Sequence, residues 1–448
     1  MNNLSLYIHI PFCVRKCNYC DFLSAPCDEK TKQEYVEALC CEIEQRAKEF
    51  RSKKVDTVFL GGGTPSILSS SQMSRIMSAI RDGFQVLPEA EISMEMNPGT
   101  VDREKLEVYK RLGINRLSIG LQSADNEELR VLGRIHTWEE FLQTWNMVRE
   151  AGFTNVNIDL MSALPGQSLE SYEKTLRKVL ALKPEHISAY SLIVEEGTLF
   201  FEWFGDEKEK QQDKHKDGQS IENRKSASWD TEIDLKNRKL PDELIDRKMY
   251  DITKQLLEEQ GYYRYEISNY ALKGYECKHN IGYWKRKEYL GLGLGAASLL
   301  LVDIRKENHK ESEDSKKTNW RCSNISDLQT YLEMGKQKKE DSLKINQTKK
   351  METKGSGTEN EKWTEEQTKL SLTEQMEEFM FLGLRMMKGI SIEEFEKQFG
   401  KNLQQVYGKQ IEKLQKQGLL KADEKAKSYA LTAKGIDVSN QVFVEFIM

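Results

Sequence analysis

Residues 13–20 read C-V-R-K-C-N-Y-C, so Cys13, Cys17 and Cys20 fall within eight positions, directly behind an apolar, β-rich run over residues 4–12. A strand that empties into a loop of thiols places three soft ligands on one tight turn. Such a C-x3-C-x2-C loop can reach adjacent corners of an iron–sulfur cubane and leaves one iron without a protein ligand, open to a substrate or cofactor. Zinc is the rival reading, but a closed zinc site needs a fourth ligand, and the nearest histidine, His9, lies in the preceding strand. The chain has 8 cysteines in 448 residues, too sparse for a disulfide scaffold. Thiols kept reduced in the cytoplasm are therefore read as ligands first.

The cysteine loop opens a repeating pattern. Apolar strand-like segments recur at 4–12, 55–60, 92–96, 116–121, 156–161 and 186–193, separated by helix-like segments at 30–50, 70–84, 102–112, 138–152 and 169–182. This rhythm predicts an α/β fold with parallel strands and crossover helices, a partial (β/α)6 barrel over residues 1–200. The second strand ends in V-F-L-G-G-G-T-P-S, residues 58–66. Glycines there let the backbone approach a ligand closely and leave N–H groups free for a carboxylate or similar anion.

Beyond residue 200 the character changes. Residues 205–239, about 303–317 and 335–367 are dense in Lys, Asp, Glu, Gln and Asn without sustained period. They bury too little apolar area to offset ordering entropy and are expected to be mobile surface insertions. A compact stretch over 240–301 holds a helix (241–261) and aromatic-rich segments, with polar insertions around a short ordered stretch over 303–370. Residues 372–448 begin with helices at 374–387, 391–399 and 403–417 and continue into a hairpin over 418–435, the layout of a winged-helix-like module. The length allows about three domains.

Charge narrows the partners. With 67 basic against 72 acidic residues the chain carries no basic footprint for nucleic acid. No run approaches the length of a membrane span, and no signal-like stretch opens the chain, so a cytoplasmic protein is expected.

Six segments, Y-I-H-I-P-F-C-V-R-K-C-N-Y-C-D-F, G-G-G-T-P-S, E-M-N-P-G-T, R-L-S-I-G-L-Q-S, L-G-R-I-H-T and N-I-D-L-M-S-A-L-P-G-Q, together resemble the radical S-adenosylmethionine (SAM) proteins of the oxygen-independent coproporphyrinogen III oxidase-like group. The resemblance implies a [4Fe-4S] cluster on Cys13, Cys17 and Cys20, whose open iron chelates the amino and carboxylate groups of SAM before its reductive cleavage. It further implies SAM contacts at Tyr7, Tyr19, Gly62, Gly63, Thr64, Glu95, Gln122, Arg134 and Asp159. Independently, Glu95, Gln122 and Asp159 lie in or near the C-terminal halves of apolar strands, where a barrel presents its active-site mouth.

Members of the group that decarboxylate coproporphyrinogen carry C-x3-C-x2-C-x-C and an extension before the first strand. Here Phe22 stands at the fourth cysteine position and the strand begins almost at once. Residues 279–284, H-N-I-G-Y-W, instead fit the H-N-x-x-Y-W signature of the HemW-type heme chaperone branch, as does Y-R-Y-E-I-S-N-Y-A at 263–271. In that light His279 could supply an axial imidazole to heme iron, with Tyr283 and Trp284 offering flat faces to the porphyrin. Ala297 departs from the branch, whose members usually carry histidine there.

The expected function is heme binding and transfer to acceptor hemoproteins, respiratory ones among them, with a peripheral contact to membrane partners and a homodimer also implied. Two other classes stay open. One is oxidative decarboxylation of coproporphyrinogen III to protoporphyrinogen IX; the other is a structural zinc protein with an interaction-only C-terminal module.

Overall fold

Parallel strands buried on both faces read as near-continuous apolar runs, and the central strands do. In the computed structural model, which describes residues 3–205, 238–303, 317–348 and 363–447, six strands run parallel in chain order: β1 (Leu4–Ile10), β2 (Lys54–Gly62), β3 (Gln85–Met96), β4 (Arg116–Gln122), β5 (Val156–Ser162) and β6 (His186–Ser191). Every residue of β4 is buried. The crossovers are α1 (Glu29–Ala47), α2 (Ser70–Gly83), α3 (Arg103–Arg111), the unanticipated short α4 (Asn126–Val131) with α5 (Trp138–Glu150), and α6 (Leu169–Ala181); α7 (Leu199–Phe204) follows β6. Local chemistry starts these helices: Ser69 with Gln72 and Thr137 with Glu140 form reciprocal capping boxes, and Asp28, Asp102, Asp125, Ser168 and Thr198 cap the others. The α/β class and the six-strand core follow the sequence pattern.

The sheet is larger than that pattern. Helix α8 (Glu243–Glu259) packs on α6 through a Tyr172–Thr253 hydroxyl pair at 2.8 Å. β7 (Tyr263–Arg264) and β8 (Asn269–Ala271) then extend the sheet beyond β6. After α9 (Lys278–Trp284), β9 (Tyr289–Leu292) pairs parallel with β1 at the opposite side of the core. β10 (Ala297–Asp303) and β11 (Lys317–Asn324) continue outward antiparallel, giving twelve strands once β12 (Thr364–Lys369) is added. The stretch expected as one compact unit over 240–301 is thus shared between two sides of the sheet.

Of the polar tracts, 206–237 and 304–316 lie outside the described residues. The third is corrected in part: α10 (Leu328–Thr348) runs through its beginning, and β12 starts before its end. The reason is one-sided packing of a polar helix. Tyr331 stacks on Tyr35 and donates to the buried Glu42 at 2.6 Å, Gly335 lies against Ala38, and Lys339 pairs with Glu37 at 2.7 Å.

The C-terminal module has α11 (Leu372–Gly383), β13 (Ile390–Ser391), α12 (Ile392–Phe399), α13 (Leu403–Lys416) and the hairpin β14 (Leu420–Asp423) and β15 (Ser428–Leu431). Two short helices, α14 (Ala433–Asp437) and α15 (Ser439–Val444), close it. Its own core gathers Met380, Phe395, Tyr407 and Phe446. It joins the sheet through the Glu266–Met386 bridge and through Glu378, which pairs with Arg286 and Arg321. Among the described residues no helix is long and apolar enough to cross a membrane.

Candidate functional site

The loop carrying Cys13, Cys17 and Cys20 is pinned on several sides. Cys13 N–H donates to Ala25 at 3.2 Å, and Ala25 N–H returns to Pro11 at 3.0 Å, so the loop closes on its own stem. Asn18 sits at its centre: backbone and side-chain N–H groups donate to Leu132 and Val131 at the C-terminal end of α4 at 3.0 and 2.9 Å, and its carbonyl accepts from Phe200. Gly133, with φ of 74°, crosses this side chain so closely that a Cβ would meet Asn18 Oδ1 at 2.8 Å.

The loop roofs a cavity of about 450 Å³ at the C-terminal ends of the parallel strands. Cys13, Cys17, Cys20, Tyr19, Gly62, Gly63, Glu95, Gln122, Arg134 and Asp159 all line it. The structure therefore brings together ten of the twelve residues expected to hold the cluster and SAM, all but Tyr7 and Thr64. Arg134 is buried among Asn97 Oδ1 and Gly120 O, both at 2.6 Å, and points Nη1 at Cys17 Sγ at 3.6 Å. The Thr64 hydroxyl lies 3.5 Å from Cys13 Sγ and accepts from Asn97 at 2.8 Å. Burial pushes the Cys20 thiol up to about 11 and raises Cys13. Burial, then the negative charge of Asp159, pushes Glu95 up to about 8; Asp159, raised by burial, accepts from Asn157 at 2.7 Å and Ser118 at 3.1 Å.

Two sequence expectations change here. The glycine segment does not present free N–H groups: Gly62 donates to Glu95 Oε2 at 3.0 Å, Gly63 to Ile10 O and Thr64 to Phe12 O at 2.8 Å each. These donors are consumed because the chain after β1 runs beside the end of β2. The glycines instead make room, since a Cβ on Gly63 would lie 2.6 Å from Phe12 O and 3.0 Å from Cys13 Sγ. Tyr7, expected among the SAM contacts, lines a second cavity; its hydroxyl meets His9 Nδ1 at 3.0 Å and its ring stacks on Phe59.

Sequence reasoning missed Asn97 and Tyr190. Asn97 bridges Thr64 and Arg134, and Tyr190 in β6 lines the cavity and donates to Gln122 at 3.3 Å. Asn97 lies inside the E-M-N-P-G-T segment, whereas nothing local marks Tyr190. Gln122 itself adopts φ of 75°, a conformation rare without glycine and characteristic of constrained functional positions.

The three thiols fit an iron–sulfur cluster on chemical grounds. They share one cavity wall, Thr64 and Arg134 present donors to two of the sulfurs, and the glycines keep the space beside Cys13 clear. Among the described residues no three His, Cys, Asp or Glu side chains gather around a single-ion position. In a cubane each thiolate meets a different iron, so the ligands surround a volume.

The H-N-x-x-Y-W segment forms α9, which packs on β2 and β3 at Thr57, Phe59 and Glu91, farther from the strands' C-terminal ends than Gly62 and Glu95. Glu91 of β3 accepts from Lys278 N–H at 2.9 Å and His279 N–H at 3.1 Å. His279 is 1% exposed and stacks on Phe59 at 5.1 Å. Its Nδ1 meets the Thr57 hydroxyl at 2.9 Å and its Nε2 the Tyr283 hydroxyl at 3.0 Å. Burial, aided by Lys287 and Arg116, pushes this imidazole down to about 3, so it stays neutral. Tyr283 and Trp284 line the second cavity, about 480 Å³, with Tyr7, Tyr289, Ala297 and Leu299 from the sheet and Phe381 and Leu382 from α11. The other cysteines, Cys27, Cys40, Cys41, Cys277 and Cys322, are free thiols away from both cavity walls.

Comparison with known proteins agrees with this geometry. Residues 7–179 match the radical SAM superfamily and residues 370–438 the HemN C-terminal domain. The chain is 32% identical to heme chaperone HemW of Lactococcus lactis, covering 99% of this chain and 97% of that one. It is 31% identical to heme chaperone HemW of Bacillus subtilis over 99% of both chains, and 38% identical to that of Escherichia coli over 65% of this chain and 69% of the relative. Among solved structures, coproporphyrinogen III oxidase (HemN) from Escherichia coli, a radical SAM enzyme, superposes with a TM-score of 0.73 at 23% identity, covering 100% of this chain and 90% of that one. That likeness is one of fold.

Proposed function

The chain belongs to the HemW heme chaperone family within the radical SAM superfamily, and on that premise we propose that it binds heme and hands it to acceptor hemoproteins. The observation that carries the reading is α9: a neutral, buried imidazole next to a cavity walled by Tyr283 and Trp284. His279 would ligate heme iron through Nε2, with Thr57 holding the ring in the tautomer that leaves Nε2 unprotonated. Tyr283, which holds Nε2 in the absence of heme, would yield to the iron.

Cys13, Cys17 and Cys20 would hold a [4Fe-4S] cluster, and the cavity beneath them SAM. Bound there, the cluster supplies one-electron chemistry to SAM. Arg134 and Thr64 direct positive charge and a hydroxyl at the sulfurs, while Glu95 and Asp159 offer acceptors to a cationic ligand. Tyr19, Gly62, Gly63 and Gln122 also line that cavity, and Tyr7, in the wall of the second cavity, is raised in pKa by burial and then by the charge of Glu95. The two ligands would thus occupy two separately lined cavities of one strand array, with SAM serving control of transfer. Recipients would include respiratory hemoproteins, met in the cytoplasm or through peripheral contact with membrane partners, and the chaperone could act as a homodimer.

Oxidative decarboxylation of coproporphyrinogen would need a propionate in the cysteine cavity. Phe22, 62% exposed at that cavity, stands where the oxidase pattern has its fourth cysteine. Anaerobic titration of cluster-reconstituted protein with heme separates the readings. Saturable binding that weakens or changes its Soret spectrum in His279→Ala supports the chaperone. Absence of binding, with turnover of coproporphyrinogen, would establish the oxidase instead.

A further inference from the structure

The second cavity is almost wholly apolar, and its charged groups are unevenly matched. Among the described residues, only Arg321 and Glu378 bring charge to its wall. Glu378 is shared: Oε1 accepts from Arg321 Nη2 at 2.6 Å, and Oε2 accepts from Arg286 Nε at 2.9 Å. Two guanidinium groups on one carboxylate leave a positive charge in excess. Arg286, with a side chain 1% exposed, has no partner among the described residues for Nη1 or Nη2, and neither has the buried indole Nε1 of Trp284. Buried donors without acceptors are rare in folded proteins; Trp284 Nε1 is one on the cavity wall itself, and the two of Arg286 stand off that wall, on the far oxygen of Glu378.

A ligand with a flat apolar body and anionic oxygens on its edge completes such a site. We infer that the cavity between α9, the outer strands and α11 recognises the carboxylates of a porphyrin: Arg321 exchanges Glu378 for a propionate, and the Trp284 indole N–H provides a second donor. This rests on the heme-chaperone reading and goes beyond it by assigning carboxylate recognition to Arg321 and Trp284. It also makes the C-terminal module part of the binding site, since Glu378, Phe381 and Leu382 all come from α11. Glu378 then acts as a competitor for the incoming carboxylate as well as a joint between module and sheet.

Metal-free protoporphyrin IX and its dimethyl ester test this without axial ligation. Both are titrated by fluorescence into the full chain, unaltered and as Arg321→Met and Glu378→Gln, with thermal unfolding run in parallel. The unaltered protein should prefer the free acid about tenfold or more, the range of a charged hydrogen bond. Arg321→Met should erase that preference and leave ester binding within about twofold. Glu378→Gln should tighten binding of the acid several-fold without changing the ester, a gain that a merely structural joint could not produce. Equal binding of acid and ester by the unaltered chain overturns the inference and leaves heme binding standing. A Glu378→Gln that weakens both ligands alike also overturns it, and binding of neither porphyrin defeats the heme reading with it.

Discussion

Replacing Tyr283 with phenylalanine removes one oxygen and asks which nitrogen of His279 meets iron. Nε2 is held by the Tyr283 hydroxyl at 3.0 Å, and Nδ1 by Thr57 at 2.9 Å. An iron that takes Nε2 must first break the Tyr283 bond. An intramolecular hydrogen bond contributes ~0.5–1.5 kcal/mol net, which corresponds to a factor of about two to thirteen in an equilibrium constant. Phenylalanine keeps the ring and its edge contacts to His279 at 4.8 Å and Tyr289 at 4.6 Å. Tyr283→Phe should therefore bind heme about two- to thirteen-fold more tightly, with the Soret spectrum of a histidine adduct, while losing ~0.5–1.5 kcal/mol of folding stability. Anaerobic heme titration and urea unfolding of the same preparations read both numbers. Tyr283→Phe that loses the stability but binds heme no better would refute ligation through Nε2.

Three further outcomes follow from the cysteine cavity. Cys17→Ala should abolish the brown chromophore while far-ultraviolet circular dichroism stays unchanged, because the loop is pinned through Asn18 and Ala25; a full iron and sulfide content in the variant would contradict the ligand assignment. Gly63→Ala puts a methyl group 2.6 Å from Phe12 O and 3.0 Å from Cys13 Sγ, so cluster retention in reconstituted protein should fall markedly, and retention equal to the unaltered chain would show that the loop shifts freely. Glu95 carries a folded-state pKa raised from 4.5 to about 8, chiefly by burial. Its contribution to stability is fully present below about 4.5 and is lost as pH rises through about 8, on the order of a few kcal/mol. The cluster-free protein should therefore melt at progressively lower temperature across that window, and Glu95→Gln should flatten the slope; an unchanged slope in the variant would remove Glu95 as its source.

The parallel core was legible because each of its strands has a stretch buried on both faces and every crossover helix carries its own cap. The cysteine loop, Glu95, Gln122 and Asp159 were legible for a related reason: they interrupt or terminate apolar runs, and a polar residue at a strand's C-terminal end stands out. The outer strands gave no such signal. β12 reads T-E-E-Q-T-K with five of its six residues exposed, so its pairing rests on backbone and its charges guard a sheet edge. β7 has two residues and β8 three, too few for any alternation to register.

Helix α10 was mistaken for solvated chain because its contacts come from one face. Tyr331, Leu332 and Met334 supply the burial, and the rest of its composition is that of a surface tract. The motif at 279–284 announced a ligand but not its guard. Only the fold shows Phe59 stacked on His279 and both ring nitrogens occupied, because Thr57 and Phe59 come from a strand more than two hundred residues away. The engaged N–H groups of Gly62 and Gly63 were hidden likewise, since their acceptors lie on β3 and β1.

Heme transfer itself is the most direct test. Cluster-reconstituted protein, loaded anaerobically with one equivalent of heme and separated from free heme, is mixed with an apo-hemoprotein whose holo spectrum differs from the donor's. The account predicts that the acceptor's Soret band appears faster than heme leaves the donor for a passive scavenger, and that His279→Ala, with its heme bound more weakly or in a changed state, loses that advantage. Stoichiometric loading followed by transfer no faster than passive loss would contradict it.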